Sequence, residues 1–257
     1  MGDFLVQLYD WTWHRAMNEK GSTPGIGECR MKRNINIFGI ELTGLTAKEA
    51  MKQVMDFMTG ETVSTVEIVT MEMLVRGQDD AVWKEQLQKL DLLIPGESEI
   101  LKAAGADERE LVKDLENHTF IRMLLKYFQK NKKRIFLIAG NEEDLVGLKA
   151  SVNLYCKGLL ISGTAVLPDD VNLAESVINE INGVDLDCVL SVLPAQKEAS
   201  FITSSRALLD ARLWIGGGSF LLQKSENPKA SGKVRQFLLK RIFRYRVEKQ
   251  NQEGKNN

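Results

Sequence analysis

Hydrophobic and polar positions follow two rhythms along this chain. Ile35, Ile37 and Ile40, with Gly39 between them, predict a first strand or ribbon. Thr46-Ala47-Lys48-Glu49 has capping-box spacing, in which the threonine oxygen and the glutamate satisfy free N–H groups at a helix start. Ala50, Met51, Val54, Met55 and Met58 then recur at helical spacing until Gly60. The β-branched run Val66–Val69 predicts a strand, with a helix following to about Leu90. Leu92-Leu93-Ile94 predicts another short strand, ended by Pro95-Gly96. A small helix over Ser98–Ala104 ends at Gly105.

The second half repeats the alternation. Phe120–Lys130 reads as an amphipathic helix and Arg134–Ala139 as a continuously apolar strand, ended by Gly140. Asn141 caps the next helix, whose first turn holds Glu142, Glu143 and Asp144. Further strands are expected at Leu159–Ser162 and Val189–Leu193, and helices at Val171–Ile181 and Glu198–Leu209. Leu213-Trp214-Ile215 then runs into Gly216, Gly217 and Gly218, followed by Ser219 and Phe220. Three consecutive glycines suit no regular element. They offer bare N–H groups to a phosphate or sugar, or else a tight turn, and the next segment can aim its N-terminus at an anion.

Strands separated by helices imply βαβ units with right-handed crossovers. The expected fold is therefore α/β, a Rossmann-like, mostly parallel sheet with helices on both faces. Ligands of such sheets bind beyond the carboxyl ends of the strands. That rule selects Thr70, Pro95 to Glu99, Gly140 and Asn141, Pro194 to Lys197, and Gly216 to Ser219.

Charge adds a third feature. Residues 229–257 carry nine Lys or Arg and two Glu, while the chain as a whole is −1, so an acidic body bears a basic C-terminal stretch. Val234, Phe237, Leu238, Ile242, Phe243 and Tyr245 interleave with the cations. Such a segment fits an anionic membrane surface, a plain surface helix, or nucleic acid. The body lacks the positive charge of a nucleic-acid module, so no nucleic-acid partner is expected. The expected division is an extension over 1–33, an α/β domain over 34–228 and a basic amphipathic tail over 229–257. Within the extension, Trp11, Trp13 and His14 suggest a short helix and Gly21–Gly27 a linker. No apolar run approaches the roughly 18 residues of a membrane span, and the first ten residues lack a signal-peptide pattern. Three scattered cysteines make neither a disulfide framework nor a metal site, and a reducing cytoplasm fits them.

No Gly-x-Gly-x-x-Gly and no Walker lysine loop occurs, so dinucleotide and P-loop readings drop out. With His14 and His118 the only histidines, a histidine triad or zinc site is not expected, and His118 reads as a surface residue. Glu97 and Glu99 stand past a strand, where a base would sit or a helix first turn would want charge. Gln196 and Lys197 suit a sugar or diphosphate, or a solvated helix start. Asp185-Leu186-Asp187 resembles a metal-binding Asp-x-Asp but precedes its strand, and reads as a turn. Asp169-Asp170 reads as a helix cap.

In order and spacing, several pieces resemble the WecG/TagA/CpsF family of bacterial glycosyltransferases, of the N-acetylmannosaminyltransferase type. They are Phe38-Gly39-Ile40 with its capped helix, Val69-Thr70-Met71-Glu72-Met73, Leu93-Ile94-Pro95, Arg134–Gly140, Gly158–Gly163, Leu193 to Glu198, Ile215–Phe220 and the basic C-terminus. The likeness spans roughly Ile37 to Glu248. It implies transfer of an N-acetylhexosamine-type sugar from a UDP donor to a polyprenyl-diphosphate-linked saccharide, for a cell-wall or capsular polymer. It implies inversion with neither metal nor cofactor, at the inner face of the cell membrane, with the C-terminal segment closing the site; assembly of several copies is left open. Catalytic roles fall on Thr70, Glu97 and Arg244, and substrate binding on Gly140, Asn141, Gln196, Lys197, Gly216, Gly217, Gly218 and Arg241. The chain departs from the pattern at three places. Pro95-Gly96-Glu97 replaces the family's Pro-Asp-Gly, Ala195-Gln196-Lys197-Glu198 replaces Pro-Lys-Gln-Glu, and an arginine expected near Lys113-Asp114 is missing. These departures raise the alternative of a catalytically weakened relative that binds a nucleotide sugar, a lipid-linked saccharide or a partner enzyme.

If residues 1–33 are a loosely attached extension, a chain starting at Met31 will express in soluble form and unfold at the same temperature as the full chain. Loss of soluble expression refutes that boundary.

Overall fold

The computed structural model describes residues 33–168, 171–222 and 230–253. The expected helix around Trp11, the linker at Gly21–Gly27 and the Asp169-Asp170 cap lie outside the described residues. The described residues open with a hairpin of β1 (Arg33–Ile37) and β2 (Ile40–Gly44), paired antiparallel. Its two-residue turn, Phe38-Gly39, has φ of 55° and 78°. Both angles are positive, as the twist of a two-residue hairpin demands. Gly39 adopts this freely, whereas an aromatic residue in that region is strained.

The helices and strands that follow are α1 (Ala47–Phe57), β3 (Ser64–Val69), α2 (Met71–Gly77), α3 (Ala81–Gln88), β4 (Leu92–Pro95), α4 (Ser98–Ala103), α5 (Arg109–Glu116) and α6 (Thr119–Lys130). Then come β5 (Arg134–Ala139), α7 (Glu142–Tyr155), β6 (Leu160–Val166), α8 (Val171–Asn182), β7 (Cys188–Val192), α9 (Ala195–Ser205), β8 (Leu213–Gly216) and α10 (Ala230–Glu253). The expected capping box holds α1: Thr46 Oγ1 accepts from the Glu49 N–H, and the Glu49 carboxylate accepts from the Thr46 N–H. The helix expected through Leu90 is two helices. Gly77 ends the first, and Asp80 starts the second by accepting from the Trp83 N–H at 2.9 Å. The strand expected to stop at Ser162 continues to Val166. The helix expected from Glu198 starts at Ala195 and ends in a 3-10 turn, Arg206–Leu208.

Six strands form one sheet in the order β4-β3-β8-β7-β5-β6, and every neighbouring pair is parallel. Because side chains alternate along a strand, each strand feeds two cores. Leu213 and Ile215 of β8 join Leu137, Val192 and Ile68 beneath α1, α6 and α7. Trp214 faces the other way, into a cluster with Phe136, Val189, Phe201 and Ile178. A third cluster gathers the hairpin isoleucines, α2 to α5 and Phe243 of the C-terminal helix against Val69 and Leu93. Burial on both faces is why the strands read as continuous apolar runs. Cys156 and Cys188 are buried free thiols, as small core residues would be.

Trp83, 1% exposed, fills the space that Gly77 leaves empty: a Cβ added there would lie 2.0 Å from its ring. Gly77→Ala should therefore destabilise by about 1–3 kcal/mol through overpacking, seen in urea unfolding as a lower midpoint with unchanged slope.

Candidate functional site

All-parallel pairing places the six carboxyl ends on one rim. At its first stretch, Thr70 caps α2: its Oγ1 accepts from the Met73 N–H at 3.3 Å, and the residue is 4% exposed. The Glu97 carboxylate reaches the same helix start and accepts from the Met71 N–H at 2.6 Å. The rim thus brings Thr70 and Glu97 together at one backbone turn. Gly96 donates to the Val69 carbonyl at 2.8 Å, and a Cβ on it would lie 3.3 Å from the Phe220 ring. The ends of β4 and β3 therefore adjoin the glycine turn after β8.

That turn is tighter than the sequence suggests. Gly218 has φ of +43°, and Gly218–Phe220 is a single 3-10 turn rather than the start of a longer helix. Phe220 donates back to the Gly217 carbonyl at 2.9 Å. Its ring stacks on His118, centroids 4.8 Å apart, and His118 Nδ1 lies 2.6 Å from the Tyr155 hydroxyl. His118 is half-buried in this stack instead of standing on the surface.

A second group lies further along. The chain leaves β5 toward α7 on one face and leaves β7 toward α9 on the other. Diverging connections of this kind open a crevice between neighbouring strand ends. Gly140 lines it, its N–H bonded to the Val192 carbonyl at 3.0 Å, with Pro194 Cδ 3.0 Å from where a Cβ would stand. Asn141 caps α7 by accepting from the Asp144 N–H at 2.9 Å. The three carboxylates of that first turn oppose a diphosphate there. Gln196 and Lys197 occupy the first turn of α9, both half-buried, and Lys197 Nζ donates to the Leu167 carbonyl at 2.6 Å. With adjacent strands about 4.8 Å apart, the order β4-β3-β8-β7-β5 sets Glu97 and Gly140 about 19 Å apart. The candidate residues line one rim but fall into two groups, joined by Gly216–Gly218.

Beneath the junction are two carboxyls that the loop rule does not select. Glu67 and Glu198 are 2% and 1% exposed. A Cβ on Gly216 would lie 2.2 Å from Glu67 Oε2 and 2.4 Å from Glu198 Oε1, so both groups converge on the glycine. Trp214 Nε1 donates to Glu198 Oε1 at 2.9 Å. Burial lifts the Glu198 carboxyl to about 7, against the opposing pull of Trp214 and Ser191. Burial and the neighbouring Glu198 push Glu67 well above the carboxylate range. Glu67 sits inside the run Val66–Val69, where its charge is masked by apolar neighbours. Glu198 was visible only as the start of a predicted helix and as one letter of a resembling motif.

The C-terminal helix lies beside the rim. Phe243 is fully buried, edge-on to Phe38 with centroids 6.0 Å apart, and Arg246 donates to the Val75 carbonyl at 2.7 Å. Lys240 bonds Glu99 of α4. Arg241 and Arg244 follow Lys240 in the same helix and are exposed, as are Val234, Phe237, Leu238, Ile242 and Tyr245. No described helix is long and apolar enough to cross a membrane. Asp185 and Asp187 lie at the opposite edge of the sheet, where Asp187 accepts from the Arg134 N–H at 2.9 Å and pairs with Lys133 at 2.7 Å. Among the described residues, no three His, Cys, Asp or Glu side chains converge as a metal ion would need.

Residues 35–249 match the model of the glycosyl transferase WecG/TagA/CpsF family. No curated protein matches the chain.

Burial raises the Glu99 carboxyl, but the Lys240 hydrogen bond, its own backbone N–H and the charges of Lys240 and Lys102 leave it below its ordinary 4.5. The contact therefore stabilises above that value and is lost as pH falls through the folded one. Limited proteolysis should cut the C-terminal helix faster at about pH 3.5 than at about pH 6. Lys240→Met should remove that difference.

Proposed function

Because the chain belongs to the WecG/TagA/CpsF family of glycosyltransferases, we propose that it moves an N-acetylhexosamine-type sugar, N-acetylmannosamine-like, from a UDP donor to a polyprenyl-diphosphate-linked saccharide. The product is a lipid-linked precursor of a cell-wall or capsular polymer. The observation that carries this reading is the rim itself. It joins a carboxylate, a triple-glycine turn and an arginine-bearing helix anchored beside them through Lys240 and Glu99.

In the reaction, Glu97 takes the proton of the acceptor hydroxyl, whose oxygen attacks C1 of the sugar. The C1–O bond to the diphosphate breaks, its electron pair leaves with UDP, and C1 inverts. N–H groups of Gly216–Gly218 hold the diphosphate, and Arg241 with Arg244 neutralises the charge that grows on it. The acidic first turn of α7 favours this placement over the Gly140–Asn141 end, which is left to the uncharged part of the donor. Gln196 contacts the sugar, Lys197 ties the crevice to β6, and Thr70 fixes the helix start against which Glu97 is braced.

The tail carries the second part of the proposal. Val234, Phe237, Leu238, Ile242 and Tyr245 lie away from the body, with arginines beside them. An apolar stripe edged by cations suits the headgroup layer of an anionic bilayer, each cation adding about 1 kcal/mol near the surface. On this reading the protein works in the cytoplasm, peripheral on the inner membrane face, where the rim meets its lipid-linked acceptor.

One observation favours a second reading. Glu97 already serves a backbone N–H, and glycine stands where the family has its aspartate. A weakened relative that binds donor without turnover fits those facts.

Incubation with UDP-sugars and a polyprenyl-diphosphate acceptor separates the two. Turnover that drops about 100-fold or more in Glu97→Gln supports a general base; undiminished turnover removes Glu97 from that role. UDP binding with no turnover selects the weakened relative. Removing residues 229–257 should abolish binding to anionic liposomes, and unchanged binding clears the tail of that duty.

A further inference from the structure

Glu67, Gly216 and Ser191 are register partners on three adjacent strands, β3, β8 and β7. Glu198 descends onto the same point from the first turn of α9. Two ionised carboxylates meeting over one Cα, away from water, would repel strongly. Among the described residues, no cation offsets either carboxyl. β7 contributes Ser191 and β8 the Trp214 indole. The α9 cation, Lys197, is turned to the Leu167 carbonyl. Helix α3, packed on α9, has its acid Glu85 on Lys89, and its Lys84 lines the cleft beside the C-terminal helix. Ser191 Oγ lies close enough to favour the charged form of Glu198 without reaching hydrogen-bond geometry. Glu67 Oε1, Glu198 Oε2 and Ser191 Oγ are buried without a hydrogen-bond partner, which leaves acceptor capacity for a proton within the cluster.

We propose that Glu67 and Glu198 form a carboxyl pair that holds its protons in the folded state, and that full protonation of the pair locks the first turn of α9 and the triple-glycine strand end onto β3. The pair is too buried to touch substrate. Both are positioning residues, acting through Gly216 on the turn after it and through α9 on Gln196 and Lys197. The effect on donor binding rests on the transferase reading above; the retained proton does not.

The sign of the pH effect follows from the raised carboxyls. The folded state holds protons that the unfolded chain releases, so the pair's contribution is complete at low pH. It falls as pH rises from the ordinary carboxylate range through about 7, where Glu198 ionises. The pair titrates as a unit, so the fall belongs to both residues.

The test compares the full-length protein with Glu67→Gln and Glu198→Gln, each amide standing in for a protonated carboxyl. The melting temperature is measured at about pH 6 and about pH 8.5, on either side of that transition. Over the same range, hydrogen exchange of residues 213–222 is followed, corrected for intrinsic rates, and UDP is titrated. The native protein should melt lower and exchange faster in this segment at the higher pH, and its UDP dissociation constant should rise several-fold. Both variants should be as stable as the native protein near pH 6 and show a smaller loss on going to pH 8.5. Identical melting and exchange profiles in all three proteins overturn the proposal, as does a large loss of stability at pH 6 in either variant that folds. If one variant does not fold, the other decides on the same measurements. If exchange and melting separate the proteins but UDP binds none of them, the pair stands and the donor reading fails. If UDP binds all three with one common pH profile, the positioning role is overturned.

Discussion

The missing side chain at Gly216 is the constraint on which the rim depends. A strand end carrying a Cβ there would collide with carboxylate oxygens from β3 and α9 alike. Without it, three segments that each end in a candidate loop are drawn to one point: β3 before Thr70, α9 after Pro194, and β8 before the glycine turn. The cluster also lies where two apolar cores meet on one face of the sheet. Val69 and Leu93 belong to one, Trp214 and Val189 to the other. A buried polar group costs free energy unless it is satisfied, and a retained proton with the Trp214 donor is how this junction tolerates two acids.

Around that junction the parallel register divides the labour. On the proposed reading, glycine N–H groups and the arginine-bearing helix favour negative charge at the β4-β3-β8 end. At the β5 end, the carboxylates after Asn141 oppose it. An extended anionic ligand with one charged and one uncharged end would have a defined direction along such a rim, without any single residue recognising the whole of it. The field of the site is set by which helices follow which strands, which the topology fixes before side chains add detail.

The alternation of apolar runs with capped helices made the sheet legible, because strands buried on both faces leave continuous β-branched stretches. Gly216–Gly218 and the loops after each strand could be located for the same reason. Local pattern was less informative where tertiary contact decided the outcome. The split between α2 and α3 was written in Gly77 and Asp80, but the reason lies in Trp83 filling the gap. Nothing near Glu67 in sequence reveals that Glu198 faces it from 131 positions later, since only the sheet order puts β3 beside β8 and α9 over both. His118 looked like a solvent residue because the ring it stacks on, Phe220, belongs to a turn whose path depends on Gly217 and Gly218. The arginines of the last helix were visible as charge, whereas the partner of Lys240 was not.

The last helix illustrates how a modest latch can suit a segment with two faces. Holding Phe38 at positive φ costs roughly 1–2 kcal/mol. Burying an aromatic ring such as Phe243 returns about 1.5–3 kcal/mol, so the strained hairpin turn and the helix that covers it are worth more together than apart. Gln250 accepts from the Phe38 N–H at 3.2 Å and closes the same contact. The opposite face keeps Val234, Phe237, Leu238 and Tyr245 in water. With Phe243 and Val247 buried, Arg246 bonded to α2 and Lys240 paired with Glu99, the segment stays with the body while its outer apolar stripe remains exposed.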